Sequence, residues 1–327
     1  MSKLVTIYGG SGFVGRYIVR RMAKAGWRIR VAVRRPNEAM FVKTYGAVGQ
    51  IEPLLCNIRD DESVAAMMQG ADAVVNCVGL LAEAGRNSFA AIQEAGAERI
   101  ARIAAEQGVA QMVHISAIGA DAKSNSAYAR TKAAGEAAVL RHMPDAVILR
   151  PSVIFGAEDQ FFNRFGAMTR MGPFLPIAAA ATKFQPVYVD DVAHAAELAL
   201  LGQATPGVYE LGGPRVASFR ELMATLLEVI QRRRIVLGLP FWIAGIMAGV
   251  LDLVQFVSFG LLKNKVLTRD QLHNLAHDNV VNDGARGFDA LGIIPTTMES
   301  VLPEYLWKFR PAGQYADLMR SGRKLRP

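Results

Sequence analysis

The chain has 327 residues, 51% hydrophobic and 20% charged, with a formal net charge of +8. This composition supplies a large apolar core and excludes a disordered chain; the length allows one large domain or a core domain with a smaller cap. Cys56 and Cys77 lack CxxC spacing and read as reduced buried thiols, so neither a disulfide framework nor a zinc site is expected, and the positive balance suits an anionic cofactor, membrane surface or acidic partner without arguing for nucleic acid.

No secretory signal is expected ahead of the first strand pattern. Leu4, Val5 and Ile7 predict a buried parallel strand, followed by a loop with Gly9, Gly12 and Gly15 and a helix bearing Tyr17, Ile18, Val19 and Met22. The glycines suit a tight turn, close approach of backbone to a pyrophosphate, and close packing of helix on strand. A helix N-terminus adds free N–H groups and the positive end of a dipole. Gly9, Ser11, Gly12, Phe13, Val14 and Gly15 are therefore candidate dinucleotide-binding residues. The plain alternative is a glycine-rich turn that binds nothing; strand, loop and helix in that order favour the nucleotide.

The second strand, Arg28–Val33, ends in Arg34, Arg35 and Pro36. An acid here would hold the ribose 2′-hydroxyl of NAD. Two arginines suit a 2′-phosphate, so NADPH/NADP is expected over NAD, unless the pair is only a solvated basic turn. Glu52–Asn57 reads as the third strand, with Asn57 and Ile58 as candidates beside the adenine, and Asp61–Met68 as the next helix, closed by Gly70. Ala73–Val78 is the fourth strand and runs into Gly79; Val78 and Gly79 are candidates for passing close to the cofactor. A helix over Phe89–Gln107 and a fifth strand, Met112–Ile115, follow. This alternation specifies an α/β fold with a Rossmann-type doubly wound parallel sheet.

Tyr128 and Lys132 lie four apart on the next helix and share a face. A nearby ammonium and an oxidised nicotinamide would lower the tyrosine pKa from about 10, which would make an acid/base for carbonyl reduction. Together with the three glycines, Asn76 and Gly79, this Y-x-x-x-K resembles the short-chain dehydrogenase/reductase superfamily in its extended or atypical branch. L149-R-P-S-V-I-F-G156 and P186-V-Y-V-D-D-V192 are similar to that branch too. The resemblance spans roughly residues 1 to 215 and implies that Ser116, Tyr128, Lys132 and Pro151 lie at the cofactor.

One departure matters. The extended enzymes carry a Ser or Thr where this chain has Ile118, and losing one such donor costs about 10²–10³ in rate. Ser116 could substitute, although a strand-end serine is commonly satisfied by backbone. Tyr128, Lys132 and Ser116 are thus vestigial catalytic candidates that can remain as ribose-binding groups without chemistry.

The segment R150-P-S-V-I-F-G-A-E-D-Q-F-F-N-R-F165 is similar to the nucleotide-binding accessory subunits of respiratory complex I, the NADH:ubiquinone oxidoreductase. That resemblance implies a tightly held, structural NADPH and docking at the junction of the membrane and peripheral arms. It also implies other complex I subunits as partners, lipid head groups as a further contact, and a peripheral place on the cytoplasmic face of a bacterial inner membrane or the matrix side of the mitochondrial one. The rival is a free-standing NADP-dependent reductase or epimerase using Tyr128 and Lys132; a regulatory redox sensor is a third class.

The expected nucleotide domain is 1–150 plus about 185–212. A smaller, discontinuous C-terminal domain takes 151–184 plus 213–327. Asp190 is expected to cap a helix over Ala193–Leu201. Ser218 and Glu221 predict a capping box for a helix to Ile230, followed by Arg232–Arg234 and an apolar strand, Ile235–Leu239. Residues 241–262 are apolar except Asp252, Gln255 and Ser258. They are long enough to span a bilayer, but Asp252 at the centre would cost about 2.5–3.5 kcal/mol. A helix docked on a partner or in the membrane interface is preferred, with a cap-domain core helix as the alternative. The basic tail, 308–327, reads as an arm on a partner or a solvated segment. His273 and His277 have no third ligand at credible spacing, so no metal is expected. No Gly-x-Ser-x-Gly elbow supports a hydrolase.

Overall fold

The computed structural model describes residues 2–83, 85–246, 249 and 269–315. Seven parallel strands form the main sheet: β1 (Leu4–Tyr8), β2 (Arg28–Val33), β3 (Ile51–Leu55), β4 (Ala73–Asn76), β5 (Gln111–Ile115), β6 (Val147–Pro151) and, in spatial order at the far edge, Gly207–Leu211. The order across the sheet is the Gly207–Leu211 strand, then β6, β5, β4, β1, β2, β3. Chain direction therefore reverses its sideways march between β1 and β4, which are hydrogen-bonded neighbours with Val5 beside Ala73. In open sheets of this kind ligands bind outside the carboxyl ends of the strands at that switch.

The alternation of side chains along each strand divides the core into two faces. Val5, Ile7, Val113 and Ile115 join α1 (Phe13–Lys24) and the Val189–Leu200 helix on one side. Tyr8, Val74 and Met112 join α2 (Asp61–Met68), α3 (Ala95–Glu106) and α4 (Ala127–His142) on the other. The sheet is thus covered on both faces, as its apolar runs require. Arg21 of α1 ties the Val189–Leu200 helix in place through Asp190 at 2.7 Å and Glu197 at 2.9 Å. Asp190 accordingly does not cap that helix: Tyr188 occupies the cap, without a side-chain hydrogen bond, and Asp190 sits in the first turn. The carboxylate still favours the helix N-terminus, but its partner is an arginine from another helix.

A third cluster builds the smaller part. Phe155, Phe162, Leu175, Ile177, Phe219, Leu222, Leu226, Leu302 and Leu306 pack together with Phe309, and an aromatic group of Phe161, Phe162, Phe165, Phe184 and Phe219 has ring centroids 5.1–6.1 Å apart in its contacting pairs. Ser218 and Glu221 form the expected capping box on the helix Phe219–Val229, and Ile235–Leu239 pairs in parallel with Phe174–Ala178.

Two readings of the C-terminal third change. Phe309, within the tail expected to be an arm on a partner or a solvated segment, is 6% exposed in the third cluster. Its carbonyl accepts a 2.7 Å bond from Arg232 Nε. One buried phenylalanine contributes on the order of 1.5–3 kcal/mol, enough to anchor a run whose average composition is polar. Residues 279–293 also return to the main sheet: Asn282 binds Glu210, and Phe288 and Ile293 enter the first core. Of the apolar stretch 241–262, Phe241–Ile246 is helical and Phe241, Trp242 and Ile246 are exposed. Its remainder, except Gly249, and residues 316–327 lie outside the described residues. Among the described residues no helix is long and apolar enough to cross a membrane, and no metal-binding cluster occurs.

Candidate nucleotide site

The loop between β1 and α1 is built around its glycines. Gly9 has φ +78°, a left-handed conformation that a side chain would strain. Its N–H donates to Ala32 O at 3.0 Å, fastening the loop to β2. A β-carbon on Gly15 would lie 2.4 Å from Gly9 O and 2.7 Å from Gly10 Cα, so helix and loop are packed backbone on backbone. Gly12 is exposed and caps α1 with no side-chain hydrogen bond, and the first turn of α1 holds no acid. The start of a 12-residue helix therefore faces outward with its positive end uncompensated. Ser11, Phe13 and Val14 are half-buried around it. This is a cradle that fits a phosphate group and that a side chain would fill.

Arg16 closes one side of the cradle. It donates to Ser11 O at 3.0 Å and Gly12 O at 3.2 Å, pairs with Glu158 at 3.3 Å and lies 4.8 Å from the Phe41 ring centroid. Glu158 also accepts from Tyr17 at 3.0 Å. The sequence reading missed this latch, since nothing in the spacing joins residues 16 and 158.

Arg34 and Arg35 stand at the end of β2, both exposed. They are not equivalent. Arg35 is paired with Glu38 at 2.9 Å, whereas Arg34 has no hydrogen bond or ion pair among the described residues and is the free guanidinium beside the loop. Asn57 is exposed and its Oδ1 accepts from Arg59 N at 3.2 Å. Ile58 is 8% exposed and packs in the second core against α3, where a β-carbon on Gly96 would meet its Cδ1 at 2.9 Å.

Across the switch, Val78 is half-buried and Gly79 exposed. Val78 N donates to Asn76 Oδ1 at 3.0 Å, and Gly9 abuts Val78, whose Cγ2 would lie 3.2 Å from a β-carbon there. The candidates from β4 are thus joined to the glycine loop. Lys132 follows: its Nζ would be 3.6 Å from a β-carbon on Gly79 and donates to Ile115 O at 3.0 Å. Burial lowers the Lys132 pKa to about 8, against the pull of Glu136 and Cys77.

Two groups beneath it lack partners. Ser116 N donates to Leu149 O at 2.7 Å, but its hydroxyl, buried with the residue 4% exposed, has no hydrogen bond among the described residues. The expectation that backbone satisfies this serine holds for its amide and fails for its side chain. His114 is 1% exposed. Asn76 Oδ1 is occupied by Val78 N, so the Asn76 amide donates to His114 Nδ1 at 3.2 Å. The ring proton then lies on Nε2, which is also unpartnered. Burial, with the Lys132 charge second, lowers the His114 pKa to about 3. Buried polar atoms are normally paired; among the described residues these two lie without a hydrogen bond at the carboxyl end of β5, as do His142 Nε2 and Asn163 Oδ1 elsewhere.

The Tyr128 pKa is raised to about 12, by burial first and the charge of Asp270 second; the lowering expected from the sequence was for a site that also holds an oxidised nicotinamide beside Lys132. The Tyr128 ring stacks edge-on with Phe89 at 5.8 Å. Ile118 is 6% exposed, so an apolar side chain occupies the position of the absent donor. Pro151 is buried and its carbonyl accepts from Ile118 N at 3.0 Å.

Residues 5–212 match the NAD dependent epimerase/dehydratase family. The chain belongs to that family. It is 36% identical, over 95% of its own length and 79% of the relative's, to NADH dehydrogenase (ubiquinone) 1 alpha subcomplex subunit 9, mitochondrial, of Arabidopsis thaliana. It is 29% identical to the mitochondrial NADH-ubiquinone oxidoreductase 40 kDa subunit of Neurospora crassa, over 98% of this chain and 83% of that one. Among solved structures, the dTDP-glucose 4,6-dehydratase DesIV of Streptomyces venezuelae, with NAD and TYD bound, has the same fold: TM-score 0.69 at 20% identity, over 96% of this chain and 99% of that one. The similarity to these two subunits runs nearly the whole chain, well past residue 212, where the family pattern ends.

Proposed function

We propose that this protein is an accessory subunit of respiratory complex I that binds NADPH and holds it without turnover. The observation that carries this reading is the 36% identity to the Arabidopsis subunit over 95% of the chain. The chemistry of the site supports it. Gly9, Ser11, Gly12, Phe13, Val14 and Gly15 would receive the diphosphate; Arg34, helped by Arg35, the 2′-phosphate; Asn57 and Ile58 the adenine; Val78, Gly79, Ser116, Tyr128, Lys132 and Pro151 the nicotinamide half. A bound NADPH supplies a hydride, but Tyr128 is held as a phenol and no donor stands at Ile118. The chain's own groups would hold the ribose and exclude water, and no proton-transfer step follows from them.

The partners in this reading are other complex I subunits, at the junction of the membrane and peripheral arms. The exposed Phe241, Trp242 and Ile246 suit a protein neighbour or lipid head groups on the matrix or cytoplasmic side. Residues 1–150 with about 185–212 would form the nucleotide domain. To test it, the protein is followed through detergent-solubilised membranes of its host: comigration with NADH:ubiquinone oxidoreductase activity is expected, and migration as a free small protein would refute the assignment.

A free-standing NADP-dependent reductase or epimerase is the second reading, favoured by Tyr128 and Lys132 one helical turn apart. Turnover of NADPH with a carbonyl substrate, lost in Tyr128→Phe, would establish it instead.

A further inference from the structure

The helix α4, which carries Tyr128 and Lys132, has 16 residues, and its first turn contains no acid of its own. Its local cap is Ser126, whose Oγ accepts from Ala129 N at 3.3 Å. A second cap arrives from far along the chain. The Asp270 carboxylate accepts from Ala127 N at 2.7 Å, from Ser126 Oγ at 3.0 Å and from Tyr128 N at 3.4 Å. Asp270 sits in the first turn of the short helix Arg269–Leu275, and Leu275 O in turn accepts from Thr182 Oγ1 at 2.7 Å. That helix is thereby held between α4 and the smaller part of the molecule. A carboxylate at a helix N-terminus satisfies orphan N–H groups and meets the positive dipole end.

We propose that Asp270 is a positioning residue of the nucleotide site: its carboxylate fixes the first turn of α4, and through it Tyr128 and Lys132, for the nicotinamide half of the dinucleotide. This rests on the nucleotide reading above. The two halves of the site are separable in the sheet. The glycine loop and Arg34 follow β1 and β2, whereas α4 follows β5, on the other side of the switch between β1 and β4. A dinucleotide laid across that switch meets Asp270's influence at one end only. Burial first, and the Asp270 charge second, raise the Tyr128 pKa, and a phenol is a donor and acceptor suited to a ribose. In sequence Asp270 follows shortly after the apolar stretch 241–262.

The test compares the full-length protein with Asp270→Ala and Asp270→Asn, titrated calorimetrically with NADPH and with 2′,5′-ADP, which lacks the nicotinamide half; thermal melts confirm that each variant is folded. Asp270→Ala is expected to weaken NADPH about tenfold while changing 2′,5′-ADP by less than about twofold. Asp270→Asn, which keeps an acceptor oxygen and loses the charge, is expected to recover part of that loss, to about threefold below the unmodified protein. Equal weakening of both ligands would show a general fold contact and overturn the proposal, as would unchanged NADPH affinity in Asp270→Ala. Failure of the unmodified protein to bind either ligand would instead refute the nucleotide reading, and this proposal with it.

Discussion

The two ends of the cofactor site are made by different physics. At β1 and β2 the working parts are mostly backbone, a left-handed glycine and an uncapped helix start, joined by the Arg34 guanidinium, which is unpaired among the described residues, all reachable from solvent. At β5 and α4 they are buried or half-buried side chains: Lys132 held by a carbonyl, Tyr128 with its pKa raised, and His114 and Ser116 with atoms unpartnered among the described residues. The first end suits a charged group. At the second, burial penalises the charged forms, lowering the pKa of Lys132 to about 8 and of His114 to about 3 and raising that of Tyr128.

Substitutions can break this contrast, and the backbone end should be the more sensitive. The largest effect is expected from Gly15→Val, because the new side chain would collide with Gly9 O and Gly10 Cα. NADPH affinity should fall by about 10³-fold, alongside a loss of about 1–3 kcal/mol in stability from overpacking; calorimetry and denaturant melts measure both. Next, Arg34→Asp should weaken NADPH about 30-fold and leave NADH affinity within about threefold, because the lost partner is a charge-assisted contact to the 2′-phosphate alone. The same change at Arg35 should matter less, since Glu38 already holds that guanidinium.

The buried end is expected to show itself in pH. His114 has a folded pKa lowered to about 3 from 6.5, so between those values the unfolded chain binds the extra proton. Its contribution to stability is therefore complete above pH 6.5 and is lost as pH falls toward 3. Denaturant melts between pH 6.5 and 5 should show His114→Gln with a slope shallower by about 1 kcal/mol per pH unit than the unmodified protein. The smallest effect is expected from Tyr128→Phe: a fewfold loss of NADPH affinity, about 1 kcal/mol for one hydrogen bond, with no change in turnover relative to the unmodified protein. A large loss of turnover would reverse the contrast between the two ends.

The backbone end was legible in the sequence because its signals are local. Gly9, Gly12 and Gly15 sit within one strand–loop–helix unit, and the capping box at Ser218 and the helix Asp61–Met68 are likewise written in neighbouring residues. The buried end was legible only by type. Tyr128 and Lys132 could be found by spacing, but the tyrosine's pKa is raised by burial first and by Asp270, 142 residues away, second, and spacing encodes neither. The same reason hid the Arg16–Glu158 latch, the Arg21 tie to Asp190, and Phe309's place in a core. Long-range partners are chosen by the fold, and a periodicity reading sees only one of the two.

The most direct measurement is the nucleotide content of the protein recovered gently from its host, released by acid and base extraction and quantified by chromatography. Near-equimolar NADPH or NADP⁺, with little NADH or NAD⁺, is the expected result. Protein that carries no dinucleotide, and gains none when given excess NADPH, would contradict the central claim that the glycine cradle and Arg34 hold a 2′-phosphorylated dinucleotide.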